Sequence, residues 1–438
     1  NGNVFFQGFL FATAFCFAFF LLFGFYTRLS TVISWIFLIS LHTRNPMVLQ
    51  GGDDFLRVLL FWAMFLPLGA RFSIDNQRNR EKPPQHEAPP LPSIALVLQI
   101  ASVYLFTMLF KRDSVWYENF TAVQQALRID HFTKPFGYFL LQYPEFLRIA
   151  TMATVFLEWF AVFALLTPFF TPQIRLFASL LLIGFHLLGL QLTMNLGLFP
   201  WICAAAWIAV IPSLFWESRW VAYLVSKLSL FFKRLLPEGL LRFSCLEIKC
   251  PRAKRPSVAI RTAKNGFILF TLLYVSLWNV RELSPEVMQR YFPYSMNWYA
   301  RTLRIDQRWN MFSPYPMTDD GWYVIEGKLR NNQVVNVWRP ELSVSYEKPS
   351  SVSSMYPTQR WRKYMMNLWS VENAPHRLYF GRYLCRSWNS SHAEDEQLMT
   401  FNIYYMREDT LPDGSEKTPE RVAIWNHYCF ESPPEDHK

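Results

Sequence analysis

The sequence predicts a polytopic α-helical membrane bundle of about seven to eight membrane segments, followed by an extracytoplasmic α+β, sheet-rich domain. Three observations predict it. Apolar residues make up 52% and aromatics 18% of the 438 residues against 17% charged, beyond what a soluble chain of this length carries. Apolar runs near the length of a bilayer crossing recur through residues 1–283, whereas 284–438 is far more polar. The net charge of +10 gathers in loops between apolar segments, which marks a cytoplasmic face and argues against nucleic acid as a partner. The expected surrounding is the lipid bilayer.

Six cysteines (16, 203, 245, 250, 385 and 429) are too few and too scattered for a disulfide framework, and the Cys245 and Cys250 spacing is too loose for zinc. The chain starts at Asn1 and enters an apolar run within a few residues, so it reads as a fragment lacking its natural N-terminus, with no cleavable signal-peptide pattern.

Gly8–Tyr26 nearly meets the roughly 20 apolar residues that a crossing needs. Leu29–Leu41 is about 13 residues long and stops at His42-Thr-Arg-Asn-Pro46, which leaves a short tilted helix and a re-entrant segment both open. The polar Gln50-Gly-Gly-Asp53-Asp54 starts a new element, with Asp53 or Asp54 suited to cap an apolar run over Phe55–Leu68. Residues 69–92 bring Arg71, Arg78, Arg80, Lys82 and five prolines from Pro83 to Pro92, the composition of a solvated loop. Ser93–Phe110 is the next span, and the chain after Trp116 is amphipathic through Phe146. Leu147–Phe170, Ile174–Leu192 and Leu196–Phe215 follow on very short links, as in an antiparallel bundle.

Loop 218–264 holds eleven Lys or Arg against Glu238 and Glu247, the signature of the cytoplasmic side. Its first half, Trp220–Leu236, has the spacing of a helix lying on the membrane surface, and Gly266–Val280 is a last, short span. Alternation from that loop places 69–92 inside, and 111–146, the Asp53-Asp54 turn, Asn195 and residues 284–438 outside.

In the polar part, Tyr323, Ile325 and Leu329 alternate with Val324, Glu326 and Lys328, and Asn331-Asn332 leads into Val334–Trp338, a hairpin. Trp361, Met365, Leu368 and Trp369 recur at helical spacing within Thr358–Val371. Met399, Phe401, Ile403 and Tyr405 alternate, Pro412-Asp-Gly414 turns, and Val422, Ile424, Asn426 and Tyr428 alternate again. Cys385 and Cys429 lie in this part and are available to pair with each other.

Ionisable groups in or beside spans carry a functional hypothesis by default. Four stand out: Arg57, Lys111, Glu158 and His186. Arg57 reads as a side chain that snorkels to the outer interface. Glu158 is mid-helix beside Trp159, open to a structural or a pocket role. His186 has no second histidine or cysteine at ligand spacing, so no metal is expected. Lys111 ends a span on the face shared by the other polar groups, and a lysine in a water-poor pocket has its ammonium disfavoured, leaving an amine able to act as a base. Its structural alternative is an interfacial anchor that stops the helix.

The segment Lys111-Arg-Asp113-Ser-Val-Trp116, followed by Phe185-His186 and Met194-Asn195-Leu-Gly-Leu-Phe-Pro-Trp201, resembles the membrane core of the vitamin K-dependent gamma-carboxylases and of the bacterial proteins sharing their horizontally transferred transmembrane (HTTM) domain. Gly51-Gly52-Asp53-Asp54-Phe-Leu-Arg57 and Leu66-Pro-Leu-Gly-Ala-Arg71 look typical of the bacterial members, and Trp309-Asn-Met-Phe312 and Arg360-Trp361 are similar to parts of the carboxylase lumenal domain. The resemblance implies Lys111 as the base that deprotonates reduced vitamin K or another quinone. Asp53, Asp54, Asp113, Trp116, Glu158, His186 and Asn195 become supporting or pocket candidates. For a true carboxylase it also implies O2, CO2 and a peptidyl glutamate presented to the outer face, where a peptide or protein substrate would dock. Where the carboxylases carry a histidine thought to steady a carbanion, Asp53 stands nearest, and a carboxylate would oppose that charge. A non-enzymatic membrane scaffold, immunity-like factor or assembly factor with a partner-binding outer domain is the alternative.

Overall fold

The computed structural model describes residues 3–70, 73–78, 90–224, 226–227, 257–411 and 415–430. The helical part runs α1 (Val4–Phe23), α2 (Thr27–Arg44), α3 (Gly51–Ala63), α4 (Pro90–Phe110), α5 (Pro144–Leu166), α6 (Thr171–Thr193), α7 (Phe199–Ala209) and α8 (Val258–Leu283). Among the described residues α1, α4, α5, α6 and α8 are the five long and apolar enough to cross a membrane. The segments expected over 29–41, 55–68 and 196–215 do fold as helices. However, α2 carries polar Thr27, Ser30, Thr31 and His42 on its buried side, and α3 and α7 have 13 and 11 residues, short of a full crossing. Most of the surface helix expected over Trp220–Leu236, and the Pro412-Asp-Gly414 turn, lie outside the described residues.

Local chemistry sets the helix ends. Gly24 takes the left-handed conformation (φ 68°) that closes α1, and its N–H reaches back to Leu21 and Phe20. The first turn of α2 is capped from afar, since Asp75 accepts from the Tyr26 N–H (3.0 Å), the Thr27 N–H (2.8 Å) and the Thr27 hydroxyl (2.7 Å). The sequence suggests Asp53 or Asp54 as the cap of α3, and neither takes that place. Gln50 holds that position, and Asp53 sits three residues in, where its carboxylate accepts from the Gln50 N–H at 2.9 Å.

The bundle core joins Phe55, Ile100, Tyr104, Ala161, Leu182, Trp207 and Trp309 from α3, α4, α5, α6, α7 and the chain beyond α8. A second cluster packs Phe61 and Trp62 against Ile268, Trp278, Phe292 and Ile305. Residues 292–309 therefore belong by packing to the helices. A buried polar chain fixes them there. Trp62 Nε1 donates to Gln99 Oε1 (3.1 Å), the Gln99 amide donates to Gln307 Oε1 (2.7 Å), and Trp309 Nε1 donates to the same oxygen (2.8 Å). By contrast α1 buries none of its side chains, and its exposed Phe5, Phe9, Phe15 and Leu22 call for a lipid surround.

The second part is built on β1 (Asp319–Leu329), β2 (Val334–Asn336), β3 (Leu398–Asp409) and β4 (Glu420–Tyr428), all antiparallel in the order β2-β1-β3-β4. Helices α9 (Gln359–Trp369) and α10 (Pro375–Asn389) lie against it, and Met365, Leu368, Phe380, Leu384 and Trp388 pack into one core with Tyr323, Ile325, Phe401 and Ile403. Both predicted hairpins and the helix after Thr358 are present, and Thr358 is the cap of α9. Val324, expected on the polar side of β1, is buried as well, because that face is covered too: Tyr346 packs on Tyr404, the partner of Val324 across the strands, and bonds Glu326. Cys385 on α10 and Cys429 just past β4 form a disulfide with Cα atoms 5.4 Å apart.

Candidate functional site

Helix α4 delivers its last turn into the protein, so Lys111 follows the span with only 3% of its surface exposed. From α5, Glu158 points at it, and the ammonium and carboxylate form a buried ion pair. The indole of Trp116 lies over Lys111 Nζ at 4.0 Å from the ring centre, and its own N–H has no partner. This is the arrangement a dehydrated ammonium needs: a counter-charge, plus the negative face of an aromatic ring. Burial pulls the lysine below its usual range, and the Glu158 charge and hydrogen bond oppose that pull. Asp113 has a local role. It caps the short helix Ser114–Tyr117 by accepting from the Val115 N–H at 3.1 Å, which orients Trp116.

A second buried group sits nearby. Tyr104 Oη, within electrostatic range of Glu158, is 2.9 Å from His186 Nε2 and accepts from Trp207 Nε1 at 2.6 Å. His186 lies in a π-helical stretch, Phe185–Leu190, inside α6. Sequence reading missed Tyr104 and Trp207, because a tyrosine and a tryptophan on apolar helices carry no signal that separates a polar hub from core packing.

The Asp53-Asp54 turn is not part of either group. Arg360 of α9 grips Asp53 with two bonds (2.5 and 2.6 Å) and also donates to the Val48 carbonyl, while His42 stands 3.7 Å from the same carboxylate. Asp54 pairs with Arg57 at 3.0 Å. Arg57 does not snorkel: it is fully buried and also reaches the Asp306 carbonyl at 2.7 Å, because the chain after α8 folds back over α3. Asn195 contributes through its backbone, its N–H donating to Phe132 O (2.7 Å) and its carbonyl accepting from Arg362. Asp53 and Asn195 are thus where the sheet-bearing part grips the helical part.

That grip continues outside the spans. His131 Nε2 lies 3.1 Å from Asp320 Oδ1, and Asp320 also accepts from the Asp130 N–H. Lys348 is held by Asp130 (2.8 Å), Glu408 (2.5 Å) and Glu416 (3.2 Å). A cavity of about 360 Å³ at this junction is lined by Arg128, Asp130, Tyr138, Lys348 and Glu416, and a depression of about 480 Å³ by Ile36 and Arg44; neither borders Lys111. No group of three His, Cys, Asp or Glu that could hold a metal occurs among the described residues.

Five crossing-length apolar helices and a charged pair sealed among them define a polytopic membrane protein. The family model of the HTTM domain matches residues 5–220, the stretch that contains Lys111, Trp116, Glu158 and His186. No curated protein and no solved structure matches the chain.

Proposed function

We propose that this is an integral membrane protein related to the vitamin K-dependent carboxylases, in which Lys111 and Glu158 together form the base that takes a proton from a reduced quinone. The single observation that carries the reading is the buried Lys111–Glu158 pair under Trp116, inside the HTTM match. The residues suit such a ligand: the surroundings are aromatic, and two buried ring N–H or N atoms, Trp116 Nε1 and His186 Nδ1, lack partners. When bound, the quinol would supply an oxidisable hydroxyl.

The work of the chain lies in proton placement. As an ion pair, Lys111 has no lone pair to offer. For Lys111 to accept, its proton passes to the carboxylate it touches, Glu158, which leaves a neutral amine facing the ligand. Lys111 is then the acceptor and Glu158 the store. Coupling to O2 and CO2 for carboxylation of a peptidyl glutamate is the fuller form of this proposal. Its supports are the Cys385–Cys429 disulfide, which suits an oxidising extracytoplasmic compartment, and the basic composition of the sequence between Ser218 and Ser257, ahead of the final span.

In membranes holding the full chain, Lys111→Ala should lower oxidation of reduced menaquinone at least about 100-fold, with folding checked by thermal unfolding. Undiminished oxidation would sink the assignment. A second reading is favoured by the closed packing at Lys111, which no described cavity reaches: the pair is a clamp between α4 and α5 in a non-enzymatic scaffold or assembly factor. That reading expects Lys111→Met with Glu158→Leu to keep full biological function.

A further inference from the structure

The hydrogen bonds around Tyr104 favour one place for the proton of His186, the one that also gives the tyrosine hydroxyl an acceptor. An indole N–H can only donate, so Trp207 Nε1, 2.6 Å from Tyr104 Oη, makes that oxygen an acceptor. The hydroxyl proton of Tyr104 then goes to its other neighbour, His186 Nε2 at 2.9 Å. Nε2 is the acceptor, and a neutral ring carries its hydrogen on Nδ1. Yet Nδ1 has no partner, although His186 is only 3% exposed. Buried donors in folded proteins are almost always satisfied, so an orphan one asks for a missing acceptor.

The local backbone supports the same conclusion. Residues Phe185–Leu190 are wound as a π-helix, an irregularity that recurs at functional sites. Just before it, a Cβ added to Gly184 would meet nothing within 4 Å, and at the exposed Gly189 it would meet only the Phe185 ring at 3.6 Å, so no neighbouring helix crowds either glycine. Phe185 and Phe199 stand edge-on to the imidazole, with centroids at 5.2 and 6.2 Å. Aromatic walls suit a flat apolar guest.

We infer that His186 Nδ1–H is the docking donor for a carbonyl or phenolic oxygen of a flat, apolar, membrane-soluble molecule. This rests on the quinone reading above and names the atom that would hold the ring. Tyr104 and Trp207 are positioning residues: they act through the imidazole by fixing its tautomer.

The test uses the full chain, labelled with 15N-histidine, in phosphatidylcholine nanodiscs titrated with menaquinone-4. The His186 signals, assigned with His186→Asn, should show a protonated Nδ1 and a bare Nε2, and menaquinone-4 should shift the Nδ1 signal. His186→Phe should weaken binding roughly tenfold, the size of one lost hydrogen bond. His186→Asn, whose amide can place an N–H near the Nδ1 position, should recover part of it. Tyr104→Phe should erase the tautomer preference, and Lys111→Ala should still bind. A ring protonated on Nε2 in the parent protein, or equal affinity for parent and His186→Phe, would overturn the inference and leave Lys111 untouched. No binding by the parent would overturn this inference and the quinone reading together, whereas full quinol oxidation by Lys111→Ala would remove only the base.

Discussion

Asp53 and Lys111 are both acidic or basic groups beside apolar helices, yet their surroundings give them different work. Asp53 is neutralised by a two-pronged Arg360 and is spent on joining the two parts of the chain. Arg360→Ala should therefore strand a buried carboxylate and cost about 3 kcal/mol, read as faster protease cleavage between 284 and 319 with the Lys111 pair intact. Glu158→Gln makes the complementary point. It keeps the side-chain size but removes the proton store, so quinol oxidation should fall by about 100-fold while quinone binding holds. At this scale the sequence showed Lys111 and Glu158 as costly charges in or beside spans, 47 residues apart. It could not show that they touch, since their pairing depends on how α4 and α5 pack. Arg57 was misread for the same reason: its partner Asp306 lies 249 residues away.

At the scale of elements, the helix and strand patterns were legible wherever one face meets a core and the other does not. The period of Trp361, Met365 and Leu368 marks α9, and the alternation through Phe401 and Ile403 marks β3. Helix α10 went unread even though Phe380, Leu384, Cys385 and Trp388 recur at helical spacing, because its polar surface residues dilute the signal. Its link to the strand end is covalent. The Cys385–Cys429 bridge closes a separation of 44 residues, and on chain entropy alone contributes about 4 kcal/mol. Replacing both cysteines by serine should lower the unfolding temperature of the sheet-bearing part under oxidising conditions, and added reductant should produce the same shift in the parent protein. Insensitivity to reductant would show that the bridge does not contribute.

Across the whole molecule, the junction of the two parts should respond to pH. Burial, reinforced by the Asp130 charge, pushes the Asp320 carboxyl from 3.8 up to about 8. Burial, reinforced by Arg362, pushes His131 from 6.5 down to about 3. The facing groups include Tyr405, 3.3 Å from His131 Nε2, and Asp130, itself held by Tyr138 and Lys348. The folded state binds more protons than the unfolded one at Asp320 between pH 3.8 and about 8, so stability there falls as pH rises. At His131 it binds fewer between about 3 and 6.5, so stability rises with pH in that window. The two offset each other below pH 6.5. Above it Asp320 acts alone, and stability should fall by up to about 1.4 kcal/mol per pH unit until about pH 8. Hydrogen exchange along β1 should quicken over that range, and Asp320→Asn should flatten the response.

The Gln99–Gln307 bond has a consequence for how the protein is made. Its two amides are 208 residues apart, and Gln307 leaves the ribosome after α8. Until then the Gln99 amide, already joined to Trp62, lacks its Gln307 acceptor, so insertion of the helices and closure of their core are separate events in time. A ribosome stalled before residue 307 should hold a bundle that is threaded but unsealed, and a chaperone that shields bare amides in a membrane would find its client at that moment.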